Sequence, residues 1–547
     1  MKRIHRRRFL EASLLAATAL AVPAEKRAAQ SNVARAGESG SPKAKTRFLT
    51  FAQQAVDILL EKQSAQLGGA PDGVRFITAT GRTMRTYGSL GGSKGAYRVA
   101  RFTTQPLESN PVRLDFGAWP LLEGLTAATG ERRYAQRVET MAATFAEHGF
   151  ETKSGLGYLG VQADFDVVRL QPLPVLGIPQ LLFKPEADLP LERLWTASPE
   201  KMGRMFKSAY YACVTQPETM AYNRYGPYGF DDSLRKPALK FSPHHSAFAL
   251  SGACLIHWWC IHHARTGDAE SLQWSRRMME KWRAVQHPES GLIPHYFGTD
   301  DRSATSQPPM PYVNYGDSRT AILWLSAARE LAGRPDAQPL ARELSEMGLR
   351  LLRGFARFGY NRESRLFPRW LHLDGRQCRE TVRLAFMTQA EKDAALAQNP
   401  DLADVPVYVG AGFYSDGPWT QGVHGSHLPF VPHDLAEGAA LTSDPALLTA
   451  AERIAMDAME AARMLSSGFT GLEQWTYSAT ASYIKMMVSL HGATRDRKYL
   501  EWASQLADME MEFLRRERPP GQPEWWRMSF RNHLVDAFLR LHRAIVA

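Results

Sequence analysis

The sequence predicts an all-α protein, an (α/α) toroid of six or seven helical hairpins, and three observations point there. A helix-ending turn recurs along the chain. A second, longer kind of loop follows about one helix later. The segments between carry apolar residues at alternating steps of four and three, as in Leu340, Leu344, Met347, Leu351 and Leu352. Period-2 alternation, the mark of strands, is almost absent.

The elements follow in order. Arg6, Arg7, Arg8, Phe9 and Leu10 make a twin-arginine start. The apolar run Leu14 to Val22 follows, with Val22 and Ala24 at the small-residue positions of a cleavage site. Residues 1–24 are therefore expected to be a twin-arginine signal peptide, too short in its apolar part to span a bilayer comfortably. Residues 25–45, rich in Ala, Ser, Gly and charge, are expected to be a flexible lead-in. Residues 46–547 are read as a single toroid domain, exported to the periplasm or secreted, with no membrane contact after cleavage.

Within that domain the short turns are Ala127-Ala128-Thr129-Gly130-Glu131, Ala264-Arg265-Thr266-Gly267-Asp268, Ala332-Gly333-Arg334-Pro335-Asp336, Leu441-Thr442-Ser443-Asp444 and Ala493-Thr494-Arg495-Asp496. The longer loops are Lys153-Ser154-Gly155-Leu156, Glu289-Ser290-Gly291-Leu292, Glu363-Ser364-Arg365-Leu366-Phe367 and Ser467-Gly468-Phe469-Thr470-Gly471. A Pro519-Pro520-Gly521 break closes the series. Each intervening helix has one apolar face that its neighbours must cover. A ring of hairpins meets that demand, with short turns on one rim and functional loops on the other. An open helical solenoid is the rival.

Composition narrows the partners. Five basic residues and one Glu in the first 24 positions supply +4 of the chain's +10 charge, so the rest is only mildly basic. No Lys/Arg-rich run with interleaved aromatics occurs, which argues against nucleic acid. A mild positive balance suits a polyanion. The four cysteines, Cys213, Cys254, Cys260 and Cys378, show no CxxC spacing and read as free thiols, although an oxidising compartment would permit a disulfide.

The long loops gather the unusual residues. They include Tyr222-Asn223-Arg224-Tyr225-Gly226-Pro227-Tyr228, His244-His245, His295-Tyr296-Phe297, Tyr312 to Asp317 with Tyr315, Tyr414 to Trp419 with His424 and His427, and Glu473-Gln474-Trp475. Aromatic rings offer platforms to sugars, while Arg and His suit carboxylates, so a carbohydrate cleft is expected. His244, Tyr228, Tyr315, Trp419, His427 and Trp475 are assigned to substrate binding. His262 and His263 close a helix on the short-turn side and read as structural. His257, among Ile256, Trp258 and Trp259, reads as a core histidine. His244 and His245 could bind a metal, yet no HExxH pattern accompanies them.

From about Phe51 to Ala455 the chain resembles the periplasmic pectate lyases of polysaccharide lyase family two and their uncharacterised relatives. The stretches that carry the resemblance are Leu125 to Gly130, Ser154-Gly155-Leu156-Gly157-Tyr158 leading to Leu170-Gln171-Pro172, and Asn223 to Gly229. His287 to Leu292, Tyr360-Asn361-Arg362-Glu363 and Gly412-Phe413-Tyr414 follow. The resemblance implies an (α/α)7 barrel, a divalent metal on two histidines and a glutamate, and an arginine acting on the C5 proton of a uronate. Arg224 falls on that arginine. The metal positions fall on Gln162, Phe183 and Tyr225, an amide, a phenyl ring and a phenol. No metal ligand is assigned on that basis, and no cofactor is expected.

Without a metal, side chains must neutralise the substrate carboxylate during β-elimination, and arginine offers a bidentate fork. A guanidinium stays protonated, which suits it to clamp rather than to act as a base. Arg224 is therefore read as the carboxylate clamp and Tyr225 as the base, with His245 or His244 in reserve. The expected activity is a polysaccharide lyase on an acidic, uronate-containing polymer, acting as a monomer. The first alternative is a glycoside hydrolase using two of Asp231, Asp232, Asp317, Asp416 and Glu473. The second is a carbohydrate-binding homologue without catalysis, and a carbohydrate epimerase takes most of what remains.

Overall fold

In a computed structural model the chain is described at residues 46–62, 64–66, 75–77, 109–150, 155–157, 164–166, 171–172, 190–222, 248–295, 312–314, 317–361, 367, 370–376, 390, 393–394, 397, 430–464, 479–516 and 534–547. The signal peptide and lead-in expected at 1–45 lie outside these residues.

Fourteen α-helices occur among the described residues. In chain order they are α1 (Arg47–Lys62), α2 (Val112–Thr129), α3 (Arg132–His148), α4 (Leu191–Ala197), α5 (Pro199–Cys213), α6 (Ala249–Thr266) and α7 (Ala269–Val285). The second half holds α8 (Ser318–Leu331), α9 (Gln338–Phe358), α10 (Phe430–Thr442), α11 (Pro445–Met464), α12 (Ala479–Thr494), α13 (Lys498–Arg516) and α14 (Leu534–Val546).

Burial divides them into two layers. In α6 every residue from Ala249 to His263 except His257 is buried, so water meets almost none of that helix. The next helix, α7, buries only a stripe made by Leu272, Trp274, Met278, Met279 and Trp282. The α9 stripe includes Leu340, Leu344, Met347, Leu351 and Leu352, as the spacing predicts. Helices buried all round form the inner wall, and one-sided helices cover them. Packing then closes the ring. Helix α6 packs on α8, α8 on α10, α10 on α12, α12 on α14, and α14 on α2; α3, α4 and α5 carry the contact back to α6. Because α14 also packs on α1, the two ends of the domain are joined, and the protein is a toroid rather than an open solenoid. Phe48 and Phe51 of α1 meet Phe538 of α14 at that seam.

The short turns are one device used repeatedly. Thr129, Thr266, Thr442 and Thr494 each donate a hydroxyl to the carbonyl four residues back, at 2.7–2.8 Å. Each also accepts the N–H of the acidic residue two positions on, from Glu131, Asp268, Asp444 and Asp496. The residue between is left-handed: Gly130, Gly267, Ser443 and Arg495, with φ of 75, 77, 57 and 62°. The three aspartates then cap the following helix; Asp268, for example, accepts from Ser271 N at 2.9 Å. His263 and His491 add the same lock, Nδ1 to the carbonyls of Asp268 and Asp496. His262 bonds Ser271 Oγ at 2.9 Å, so both histidines of that pair are structural, as expected. His257 is half-buried rather than part of the core.

Among the described residues the longer connections hold what the sequence reading did not anticipate, four small antiparallel sheets. Residues 64–66 pair with 75–77; 109–111 pair with 164–166, which pair with 171–172; 214–216 pair with 221–222, and 312–314 with 370–372. Such two- and three-residue ladders are too short for any alternation to register. The Gly291 loop packs against α9: φ is +74°, and a Cβ there would lie 2.4 Å from Arg350 O. Gln286 Nε2 secures the same loop to Gly291 O and Met347 O. Cys213, Cys254 and Cys260 are buried free thiols. No helix among the described residues is long and apolar enough to cross a membrane.

Candidate functional site

Helices α8, α10, α12 and α14 each begin after a long connection, so their N-terminal halves share the long-loop rim. Those halves carry charge where burial should forbid it. In α10 the stretch Phe430-Val431-Pro432-His433-Asp434-Leu435-Ala436-Glu437 is otherwise apolar, and Pro432 is tolerated because the first helical turn lacks N–H partners anyway. Spacings of three and four place His433, Asp434 and Glu437 on one side of the helix. That side meets α8.

Arg319 Nη1 donates to Asp434 Oδ1 at 2.9 Å and to Glu437 Oε2 at 2.5 Å, while Ser318 Oγ donates to Asp434 Oδ2 at 2.6 Å. Asp434 is completely buried. Burial pushes its carboxyl up to about 6, against the downward pull of Arg319. His433 lies with Nδ1 3.6 Å from Glu437 Oε2, beyond hydrogen-bond range. Its Nε2 is buried and has no hydrogen-bond partner. Burial first, then the cations Arg319, Lys485 and Arg540, hold this imidazole well below its ordinary value, with Asp536 opposing. His433 is therefore neutral at pH 7.

Two further pairs continue the polar lining. Asp536, in the first turn of α14, binds Lys485 of α12 at 2.6 Å and Arg540 at 3.1 Å. On the other side, His295 Nδ1 lies 3.0 Å from both oxygens of Asp317, which immediately precedes α8. Asp317 was a sequence candidate for hydrolysis; it is 1 % exposed and already paired.

His433, Asp434 and Glu437 can each bring a donor atom to within 4.8 Å of the others, which is the spacing of a metal site. The Arg319 guanidinium already lies on both carboxylates, and a cation would have to displace it. These residues fit an arginine better than a metal. The donor set that the pectate-lyase resemblance implies, Gln162, Phe183 and Tyr225, does not fit a divalent ion by its chemistry.

Arg224, Tyr225, Tyr228, His244, His245, Tyr315, Trp419, His427 and Trp475 lie outside the described residues. So do Gln162, Phe183, Asp231, Asp232, Asp416 and Glu473. Sequence reasoning missed Arg319, His433, Asp434, Glu437, Lys485 and Asp536. A signal was present for part of the set: three ionisable residues at i, i+1 and i+4 inside an apolar 13-residue helix.

No protein-family model matches the chain, and no curated protein does. Solved structures give distant similarities. A cellobiose 2-epimerase from Bacillus thermoamylovorans B4167 shares 10 % identity over 76 % of this chain and 87 % of its own, at a TM-score of 0.41. An unsaturated glucuronyl hydrolase specific for heparin shares 10 % over 91 % and 96 %, at 0.38. A family 76 glycoside hydrolase (mannosidase) from Bacteroides thetaiotaomicron VPI-5482 shares 11 % over 92 % and 98 %, at 0.37. A pectate lyase of family two is not one of these three. The ring itself rests on the helix packing described above.

Proposed function

We propose that this chain is an exported, monomeric carbohydrate-processing enzyme of the periplasm or cell exterior, which cleaves a uronate-containing polysaccharide by β-elimination. The observation that carries the reading is the buried charged network at the inner-helix N-termini. Desolvating Arg319, Asp434, Glu437 and Lys485 costs stability, and groups held at such cost cluster where chemistry is done. Arg319, Lys485 and Arg540 bring positive charge to the rim that an acidic sugar would approach. Arg224 is assigned to grip the uronate carboxylate, and Tyr225, with His244 and His245 in reserve, to proton transfer. His427 and the rings of Tyr228, Tyr315, Trp419 and Trp475 are assigned to the sugar. The functional unit is the whole of residues 46–547.

A second reading is hydrolysis by two of the carboxylates Asp231, Asp232, Asp317, Asp416 and Glu473. The two reactions leave different products. Elimination creates a C4–C5 double bond conjugated to the carboxylate, a near-ultraviolet chromophore, and hydrolysis does not. The mature chain is expected to generate that absorbance on a uronan, and Arg224→Ala to abolish it. New reducing ends without a chromophore on a broad uronan panel would transfer the reaction to hydrolysis. Binding without either signal would leave a carbohydrate-binding protein.

A further inference from the structure

The imidazole of His433 is a buried group that the reading above leaves without a task. Its neighbours are fixed, whereas one of its own nitrogens is not. Arg319 and Ser318 occupy both oxygens of Asp434, and Arg319 also holds Glu437 Oε2. That oxygen faces His433 Nδ1 across 3.6 Å. Nε2 has no hydrogen-bond partner, on a residue only 9 % exposed. A buried nitrogen left unpaired is destabilising, because it gives up its bonds to water and gains none in return. A histidine kept only for packing could be replaced by an apolar side chain without that cost.

We propose that Nε2 of His433, in place of Tyr225, is the acceptor of the C5 proton, with Glu437 orienting it through Nδ1 and Arg319 holding Glu437. The arrangement has the layout of a base held by a carboxylate, the carboxylate in turn held by a cation. Hydrogen bonds of this kind are commonly long before substrate binds and shorten in the complex, so closure of the 3.6 Å gap accompanies binding. The inference rests on the lyase reading. In the step, the C5–H bond breaks and its proton goes to Nε2. The C–H electron pair forms the C4–C5 double bond. The C4–O bond breaks, and the leaving oxygen takes a proton from water; His433 then returns its proton to solvent. The charged groups that face the imidazole are Arg319 from α8, Glu437 on its own helix, Lys485 from α12, and Arg540 and Asp536 from α14. The cations among them, together with burial, keep His433 in the neutral form that a base requires.

The test uses the full mature chain with 15N-labelled histidine, and oligogalacturonate as the probe. Glu437 oriented as argued demands a proton on Nδ1 and a bare Nε2, and oligogalacturonate should shift the Nε2 resonance. An imidazole protonated on Nε2 overturns the proposal whatever the activity. On an active uronan, His433→Gln should lower kcat by about 100-fold or more with KM nearly unchanged. The acidic limb of the pH–rate profile should vanish with it. Glu437→Gln should give a smaller kcat loss and keep that limb. Thermal unfolding of both variants shows whether the ring is intact, and turnover of His433→Gln at the wild-type rate overturns the proposal. A wild type inactive on every uronan defeats the functional reading separately; His433 is then judged by its tautomer and by its response to oligogalacturonate, and no response overturns it too.

Discussion

The two rims of this ring solve the same problem, how to end a helix, in opposite ways. On the short-turn rim each end is closed locally: a Thr hydroxyl, one left-handed residue and an acidic cap satisfy the loose backbone groups within ten residues of chain. Most charges there, such as Asp268 with Lys207 and Arg133 with Asp57, stand partly in water, and the buried Asp444 is held by the exposed Arg353. On the long-loop rim the inner helices carry charge that is largely buried and satisfied mainly across helices, by distant parts of the chain. Arg319 and Asp434 are 115 residues apart. The difference separates a rim that holds the fold together from one that the fold maintains at a cost.

The largest expected effect breaks or confirms that contrast directly. Arg319→Met removes the one guanidinium that serves both Asp434 and Glu437 and leaves a carboxylate buried without its partner. Denaturant unfolding should show a loss of about 3–5 kcal/mol. A loss no larger than that of a short-turn substitution would mean that the two rims are not different in kind.

The short-turn rim should respond more weakly. Asp268→Ala removes an N-cap and should cost about 1 kcal/mol at neutral pH. Burial alone would raise the Asp268 carboxyl, but Ser271 and Lys207 outweigh it and hold it below its ordinary value. A depressed acid contributes stability that is present above its unfolded value and lost as pH falls through the folded one. The gap between wild type and Asp268→Ala should therefore close on acidification below about pH 4. A gap that is constant with pH would show that the carboxylate charge is not what caps the helix.

The smallest effect has the opposite sign. Arg495 holds φ of 62° in a position that glycine fills in two of the sister turns. Arg495→Gly should stabilise the protein by about 0.5–1 kcal/mol, because relief of the left-handed strain exceeds the extra freedom of the unfolded chain. A lower melting temperature would mean that the Arg495 side chain does something the turn geometry does not reveal.

This division also explains what could be read from the sequence. The short turns were legible because every interaction in them is local and Thr, Gly and Asp recur at fixed places. The outer-helix stripe from Leu340 to Leu352 was legible for the same reason. The polar network was not, because its members sit on helices far apart in the sequence; Arg224, Tyr225 and their companions lie outside the described residues. His433, Asp434 and Glu437 were visible as charge in an apolar helix. Nothing in the sequence says that α8 lies against α10, so Arg319 could not be joined to them.

The most direct measurement compares one buried histidine from each rim. His433 of the long-loop rim and His262 of the short-turn rim are both buried, and burial holds both imidazoles below their ordinary value. His262, bonded to Ser271 and flanked by Trp195 and Phe206, should matter to the fold. His262→Gln should lower stability by about 1–2 kcal/mol and leave kcat on a uronan within about twofold of wild type. His433→Gln should leave the melting temperature nearly unchanged and lower kcat by about 100-fold or more. If His433→Gln instead destabilises the ring while turnover of the folded fraction is untouched, the long-loop rim is structural like its opposite, and the account is contradicted.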